Sequence, residues 1–163
     1  MSNIVMTRVD ARLVHGQVAG RWIKILKADK VVIVEDEVAK DDFMVEMFNL
    51  VAPPGCEIIC YTLEEGLAEW NKDKFGTGNT IILFKYPKTA EQAWRAGLKY
   101  ESLNVAQVPM APGRVRVHNT MHLSQEEMDY LSKLADDGVN VYNQAVPEDA
   151  QTPVKEAIAK LKK

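Results

Sequence analysis

Short runs of β-branched residues alternate along the chain with longer segments whose apolar positions recur at helical spacing. Runs of the first kind predict β-strands, and segments of the second kind predict amphipathic helices. Strands are predicted at residues 4–9, 30–35, 57–61, 80–85, 102–106, 114–117 and 139–144. Such alternation is typical of βαβ units, in which helices connect parallel strands.

The pattern therefore predicts an α/β fold with an open, mainly parallel sheet of about seven strands and helices on both faces. No helical pattern separates the predicted strands 102–106 and 114–117, so we expect these two to form an antiparallel pair towards an edge of the sheet. No repeat, low-complexity tract or Pro/Gly-rich linker divides the 163 residues. A single domain over residues 1–163 is expected from this length.

Helix starts are indicated by local capping patterns. A hydroxyl residue followed three positions later by Glu or Gln has the capping-box form, which predicts helix starts at Thr62, Thr89 and Ser124. Thr152 followed by Pro153 predicts the start of the last helix, because proline fits the first helical position.

Composition and charge narrow the function classes. A formal net charge of −3 gives no general attraction to nucleic acid, so any anion site must be built locally. The chain start lacks the apolar core of a signal peptide, and the apolar runs 31–34 and 81–84 are too short to cross a bilayer, which predicts a cytoplasmic protein. Cys56 and Cys60 are expected to be reduced core residues on one side of a strand.

Candidate chemistry concentrates in residues 7–20, TRVDARLVHGQVAG, between the first predicted strand and a helix expected to begin near His15 or Gly16. In open α/β sheets ligands bind beyond the carboxyl ends of the strands, and a helix start there offers unpaired N–H groups to an anion. Arg12 can hold a phosphate bidentately. Gly16 allows close approach of the backbone, and Gln17 adds an amide donor.

His15 is the predicted phosphoryl carrier of this loop. A neutral imidazole, with a reference pKa of about 6.5, can attack phosphorus without a separate base. Asp10 would repel a phosphate, so it is expected to hold an arginine or to fix which imidazole nitrogen is free. No metal or cofactor is predicted, because His118 and His122 are an isolated pair without local Cys or carboxylate ligands.

Three alternatives stay open from the residues alone. His15 could pack against or cap the first helix, with the arginines solvated. A histidine phosphatase would use an Arg-His-Gly motif, but Val14 stands at the arginine position. A regulatory α/β module could sense a phosphorylated metabolite with the same arginines, although a pure sensor has no use for a nucleophile.

Residues 8–18, RVDARLVHGQV, followed by Trp22, closely resemble the N-terminal signature of the IIB components of the mannose/fructose/sorbose family of the sugar phosphotransferase system, or PTS. The resemblance spans nearly the whole chain. It includes VIVEDEVAKDDF at 32–43, APPG at 52–55, ILFKYP at 82–87 and DDGVNVYNQAVPED at 136–149.

The resemblance implies an enzyme of the phosphotransferase class. His15, through its Nδ1, would accept a phosphoryl group from the phosphohistidine of a IIA partner and pass it to a sugar taken up through the membrane subunits IIC and IID. It implies that Arg12 contacts the phosphate, that Asp10 is the acid of the loop and that Arg8 is the arginine at its start. We therefore expect Arg8, Gly16 and Gln17 to help bind phosphate.

The same resemblance implies a cytoplasmic protein that associates peripherally with a membrane transporter. No nucleic-acid partner is implied, and a homo-oligomer is compatible with the sequence. One departure is visible after SLNV, where a turn such as Gly-Gly-Met-His or Gly-Asn-Met-His is expected and residues 106–113 read AQVPMAPG. This loop is expected to border the site.

Overall fold

The computed structural model describes residues 3–16 and 18–161, which form nine strands and seven α-helices. The strands are β1 (Asn3–Asp10), β2 (Lys30–Val34), β3 (Glu57–Tyr61), β4 (Asn79–Phe84), β5 (Ser102–Gln107), β6 (Val115–His118), β7 (Met121–Leu123), β8 (Asn140–Asn143) and β9 (Thr152–Pro153). The α-helices are α1 (Ile23–Leu26), α2 (Asp36–Ala39), α3 (Asp42–Val51), α4 (Leu63–Asp73), α5 (Pro87–Arg95), α6 (Gln125–Asp136) and α7 (Val154–Leu161). A π-helical turn, Val18–Trp22, precedes α1.

Seven strands form one sheet in the order β3-β2-β4-β1-β5-β8-β9. All neighbouring strands in it are parallel except β8 and β9. The predicted α/β fold with a mainly parallel seven-stranded sheet is therefore confirmed. Strand β1 lies in the middle of the sheet, so the loop that follows it emerges at the centre of the carboxyl edge.

Helices cover both faces of the sheet, as predicted. Successive residues of β2 and β4 point to opposite faces, and they enter two separate apolar clusters. The cluster with Val32 and Ile82 also contains apolar residues of α4, α5, α6 and α7. The other cluster, with Val31 and Ile81, contains apolar residues of the π-helical turn, α1, α2 and α3.

The antiparallel edge pair consists of β8 and β9, where Asn143 pairs with Thr152. The expected pairing of strands 102–106 and 114–117 was wrong. Both edges of β5 are occupied, because β1 and β8 pair with it in parallel from opposite sides. Strand β6 instead pairs antiparallel with β7 in a separate two-stranded sheet. Asn119, with φ 47°, lies in the tight turn between them, where asparagine tolerates the left-handed conformation.

Two of the three predicted capping boxes are confirmed, at Thr62 before α4 and at Ser124 before α6. The prediction at Thr89 was wrong, because α5 already begins at Pro87 and Thr89 lies inside it. Proline fits the first helical position without losing a hydrogen bond, so it sets the start two residues earlier. The last helix begins at Val154, since the residues expected to start it form β9.

Glu35 connects the end of β2 to the start of α5. Its Oε1 accepts the backbone N–H groups of Lys85 (2.9 Å) and Tyr86 (3.0 Å), and its Oε2 accepts the Thr89 hydroxyl at 2.9 Å. Burial raises the pKa of this carboxyl, while the hydrogen bonds lower it. Glu35 therefore satisfies the two backbone donors that connect the end of β4 to the start of α5.

Both cysteines are free, and both side chains contact the apolar cluster on the α1–α3 face, as expected. Burial raises the pKa of both thiols, to about 11 for Cys60. Neither is therefore activated as a thiolate near neutral pH. Across residues 3–16 and 18–161, no helix has the length and apolar character needed to cross a membrane.

Candidate functional site

The candidate site is the loop that connects β1 to the π-helical turn. Its position is fixed by the neighbouring strand: Asp10, at the end of β1, pairs with Gln107 of β5, and the Ala11 N–H donates to the Gln107 carbonyl at 3.0 Å. The loop thus leaves the sheet at the carboxyl edge, where open α/β sheets bind ligands.

Arg8 and Asp10 form a fully buried ion pair beneath the loop. The Arg8 Nη2 and Nε atoms lie 3.0 Å and 3.3 Å from Asp10 Oδ2. The guanidinium also donates to the carbonyls of Gln144 (3.3 Å) and Ala145 (3.0 Å), and its carbon lies 5.7 Å from the Trp22 ring centroid. Burial lowers the pKa of Arg8, but arginine stays charged in proteins.

This burial bears on the expected role of Arg8 in binding phosphate. Its side chain has no exposed surface, so it cannot contact a phosphate that arrives from solvent. Its donors instead hold Asp10 and the 144–145 backbone. Arg8 therefore positions the loop from below, and a direct phosphate contact does not fit its place in the structure.

Arg12 lies on the open side of the same carboxylate. Asp10 Oδ1 accepts the Arg12 backbone N–H at 2.9 Å and lies 3.4 Å from Arg12 Nε. The expectation that Asp10 holds an arginine is met twice, by Arg8 and by Arg12. The Arg12 side chain is 47% exposed, so its guanidinium can be reached from solvent.

His15 lies over Asp10 with its side chain 18% exposed. Its Nδ1 is 2.9 Å from the Leu13 carbonyl, and its Nε2 is 3.8 Å from Asp10 Oδ2. Nε2 is buried and makes no hydrogen bond to any residue that the structure describes. Burial lowers the pKa of His15, against smaller opposing effects of the Leu13 carbonyl and Asp10, so the imidazole is neutral near pH 7.

Leu13 gives the loop its shape. Its φ of 56° lies in the left-handed region, which is rare for a branched residue. Its side chain is almost fully buried, at 2% exposure, and its N–H donates to the Asp10 carbonyl at 2.9 Å. A buried anchor thus holds a strained turn whose carbonyl points at the His15 ring.

The helix start after His15 is close to its predicted position. Gly16 is helical and exposed, and a Cβ there would meet no atom within 4 Å. The space above Gly16 is therefore open to an approaching group. Gln17 lies outside the described residues, so its expected phosphate contact stays a prediction. The Ala19 N–H donates to the His15 carbonyl at 2.7 Å.

Of segment 106–113, which was expected to border the site, Gln107 at the end of β5 pairs with Asp10. Beyond it, Val108 is buried and its N–H donates to the Thr120 carbonyl at 3.0 Å. The Val108 carbonyl accepts the His122 N–H at 2.9 Å, and His122 Nδ1 lies 3.0 Å from the same oxygen. The start of this loop is therefore attached to the β6–β7 hairpin.

Sequence reasoning missed the backbone carbonyls around the ion pair. The Gln144 and Ala145 carbonyls accept from Arg8, and Trp22 Nε1 donates to the Ala145 carbonyl at 3.3 Å. Every residue has a backbone carbonyl, so the sequence pattern does not indicate which carbonyls bind a side chain. The pattern predicted a strand at 139–144, but it did not indicate that the carbonyls just after this strand bind Arg8. Within the described part of the chain, no group of three or more His, Cys, Asp or Glu could hold a metal ion.

Fold and loop together define an α/β protein with a half-exposed arginine and a neutral histidine at the carboxyl edge of its central strand. The family model for the PTS system sorbose subfamily IIB component matches residues 4–163. The chain belongs to this family.

Named relatives agree with the family match. The chain is 29% identical over 160 residues to the mannose-specific PTS EIIAB component of Escherichia coli K12, covering 98% of this chain and 50% of that protein. It therefore spans about half the length of that relative. The sorbose-specific EIIB component of Lacticaseibacillus casei is 28% identical, with 97% of this chain and 94% of that protein covered.

A solved structure shows the same fold. The crystal structure of the IIBSor domain of the sorbose permease from Klebsiella pneumoniae superimposes with a TM-score of 0.90 at 25% identity, covering 97% of both chains.

Proposed function

We propose that this IIB chain carries a phosphoryl group on His15 between two partners. A phosphohistidine on a IIA protein or domain is the donor, and a sugar taken up through membrane subunits IIC and IID is the acceptor. The observation that carries the proposal is the grouping of His15, Arg12 and Asp10 in one loop at the carboxyl end of β1. The chain would work in the cytoplasm, against the inner face of the transporter.

The proposed chemistry is in-line transfer between two imidazoles. A nitrogen lone pair of His15 forms a bond to phosphorus while the donor's N–P bond breaks and its electron pair returns to the donor ring. A neutral imidazole needs no base for this step. Negative charge on the phosphoryl oxygens would be neutralised by the exposed Arg12 guanidinium and by backbone N–H groups near Gly16, with the side-chain amide of Gln17 as a further predicted donor.

Asp10 and Arg8 act in this proposal without touching phosphate. The carboxylate of Asp10 orients Arg12 and faces His15 Nε2, while Arg8 compensates its charge from the buried side. Complete neutralisation of the phosphoryl charge would not help a protein that must pass the group on. A phosphoryl group that is bound too tightly would be passed on slowly.

The proposal is tested by supplying the chain with phosphoenolpyruvate and the general phosphotransferase proteins, including a IIA partner. We expect acid-labile phosphate on the chain and its discharge when transporter membranes and sugar are added. A sensor module would bind phosphate without forming the covalent adduct. A phosphatase would release inorganic phosphate without sugar, and either result would overturn the proposal.

A further inference from the structure

We propose that the Leu13 carbonyl holds His15 in a resting tautomer that cannot accept a phosphoryl group on Nδ1. Phosphorylation then requires the imidazole to exchange this hydrogen bond for one from Nε2–H to Asp10. The inference rests on the proposed function, because it describes how the carrier histidine becomes reactive.

The contact with Leu13 determines which ring nitrogen of His15 carries the proton. A carbonyl oxygen can only accept, so the 2.9 Å contact between His15 Nδ1 and the Leu13 carbonyl requires the proton on Nδ1. A neutral imidazole carries one ring N–H, so the lone pair lies on Nε2. In the resting structure Nδ1 is thus protonated and cannot act as a nucleophile.

Nε2, the nitrogen that carries the lone pair, is out of reach of a phosphoryl donor. Nε2 is buried and has no hydrogen-bond donor within the described residues, and it lies 3.8 Å from Asp10 Oδ2. Two atoms with lone pairs and no proton between them do not attract, in agreement with this long separation. A donor phosphohistidine cannot reach Nε2. Both ring nitrogens are therefore blocked, Nδ1 by its proton and Nε2 by burial.

The turn before His15 enforces this arrangement. Leu13 is held in the left-handed region, with φ 56°, by its buried side chain and by the hydrogen bond from its N–H to the Asp10 carbonyl. Backbone strain of this kind persists only where the surroundings impose it, and it is concentrated at functional sites. Here the strained residue is the one whose carbonyl binds the ring.

The exchange turns the ring away from the Leu13 carbonyl, because phosphorus must approach along the Nδ1 lone pair that faces this carbonyl in the resting structure. Nδ1 loses its proton to solvent and Nε2 gains one. A shift of about 1 Å then brings Nε2–H within hydrogen-bond distance of Asp10 Oδ2. The Nδ1 lone pair forms the new N–P bond, and the donor's N–P bond breaks with its electron pair returning to the donor ring. Because phospho-His15 lacks the Leu13 contact, onward transfer to the acceptor regains it.

The test is ¹⁵N nuclear magnetic resonance of the full chain labelled at its histidines, at a pH where His15 is neutral. We expect His15 to show the Nδ1–H tautomer before phosphorylation. After phosphorylation we expect phosphorus coupling on Nδ1 and a proton on Nε2. His122 provides an internal reference, because its Nδ1 also contacts a carbonyl, that of Val108. His15→Gln and His122→Gln assign the signals.

The outcomes separate the inference from the proposed function. An Nε2–H tautomer in the unphosphorylated protein would overturn the inference while leaving His15 free to be the carrier. Phosphate on Nε2 would also overturn it. If the resting ring is Nδ1–H but His15 is never phosphorylated, the proposed function fails and the exchange fails with it.

Asp10→Asn provides a second measurement. If the Leu13 carbonyl sets the resting tautomer, this variant keeps Nδ1–H but accepts phosphate at least about 10-fold more slowly, because the amide is a weaker acceptor for Nε2–H than a carboxylate. A switch of the resting tautomer in Asp10→Asn would show that Asp10 sets it and would overturn the inference. If the variant does not fold, the wild-type spectrum alone decides.

Discussion

Arg8 Nη2 lies 3.0 Å from Asp10 Oδ2, and neither side chain of this ion pair has any exposed surface. Burying two charges is costly, and the cost is offset here by the Gln144 and Ala145 carbonyls and by the Arg12 backbone N–H. The pair therefore forms a rigid base under the His15 loop.

Removal of one partner of this pair should destabilise the protein strongly. Arg8→Met removes the buried cation beside Asp10 and leaves only the partly exposed Arg12 near this carboxylate, which predicts a loss of about 3–5 kcal/mol in the free energy of unfolding. Urea denaturation followed by far-ultraviolet circular dichroism measures this change.

A double-mutant cycle measures the interaction energy between Arg8 and Asp10 apart from their other contacts. Arg8→Met combined with Asp10→Asn removes both charges, so the double variant should lose less stability than the sum of the two single variants. Additive losses would show that the two side chains act independently, contrary to the contacts described.

Arg12 should matter for transfer and little for stability. Because the side chain is 47% exposed, Arg12→Ala should change the free energy of unfolding by less than about 1 kcal/mol. If Arg12 neutralises the transferring phosphoryl group, the rate of His15 phosphorylation should fall about 10²-fold. Arg12→Lys should retain part of the rate, because it keeps the charge but loses the planar fork.

Arg95→Ala is the matched control for Arg12. Arg95 lies on α5 and pairs with Glu91 and Asp137, away from the loop. This variant should phosphorylate at the wild-type rate. Wild-type kinetics in Arg12→Ala would remove Arg12 from the transfer step.

The pH dependence follows from the lowered pKa of His15. Burial is its main cause, and the cations of Arg8 and Arg12 act in the same direction. The acceptor must be neutral, so the phosphorylation rate should fall with acid only below the usual histidine pKa of about 6.5. Rapid-quench kinetics across this range locate the inflection. An inflection above about 6.5 would contradict the described environment of the ring.

The same lowered pKa has a consequence for stability. Below about 6.5 the unfolded chain binds a proton at His15 that the folded chain resists, so His15 makes folding less favourable as the pH falls. The stability of the wild type relative to His15→Gln should therefore decline from about pH 6.5 downwards and stay constant above it. Urea midpoints of both proteins over a pH series measure the difference, and a decline on the alkaline side would have the wrong sign.

Glu35 should stabilise the folded protein at the start of α5. Glu35→Ala leaves the Lys85 and Tyr86 N–H groups without their acceptor, which predicts a loss of about 1–3 kcal/mol. Glu37→Ala is the control, since Glu37 is exposed and its pair with Lys85 should contribute less than about 1 kcal/mol. Equal losses in the two variants would argue against the buried role of Glu35.

The sequence predicted those parts of the fold that depend on local pattern. Buried runs such as 31–34 and 81–84 identified central strands, and the boxes at Thr62 and Ser124 identified helix starts because their hydrogen bonds span only three residues. The partner of β6 was missed, because strand pairing depends on which sheet edges are already occupied. A similar box at Thr89 failed because Pro87 starts α5 earlier.

In the candidate site, too, the grouping of residues close in the sequence could be predicted and the long-range contacts could not. His15, Arg12 and Asp10 meet because one short turn carries all three. That Arg8 is buried could not be predicted, since its partners include carbonyls 136 and 137 residues away along the chain. The carbonyl of Leu13 was missed because its direction depends on a backbone angle that branched residues rarely adopt.

The most direct test of the account is to find which residue takes the phosphate from a phosphorylated IIA protein. Mass-spectrometric mapping under non-acidic conditions should find one phosphoryl group, on His15, in the wild type, in His118→Ala and in His122→Ala. His15→Ala should fold with the wild-type circular dichroism spectrum and carry none. Phosphate on another residue of the wild type, or an undiminished phosphate level in His15→Ala, would contradict the account.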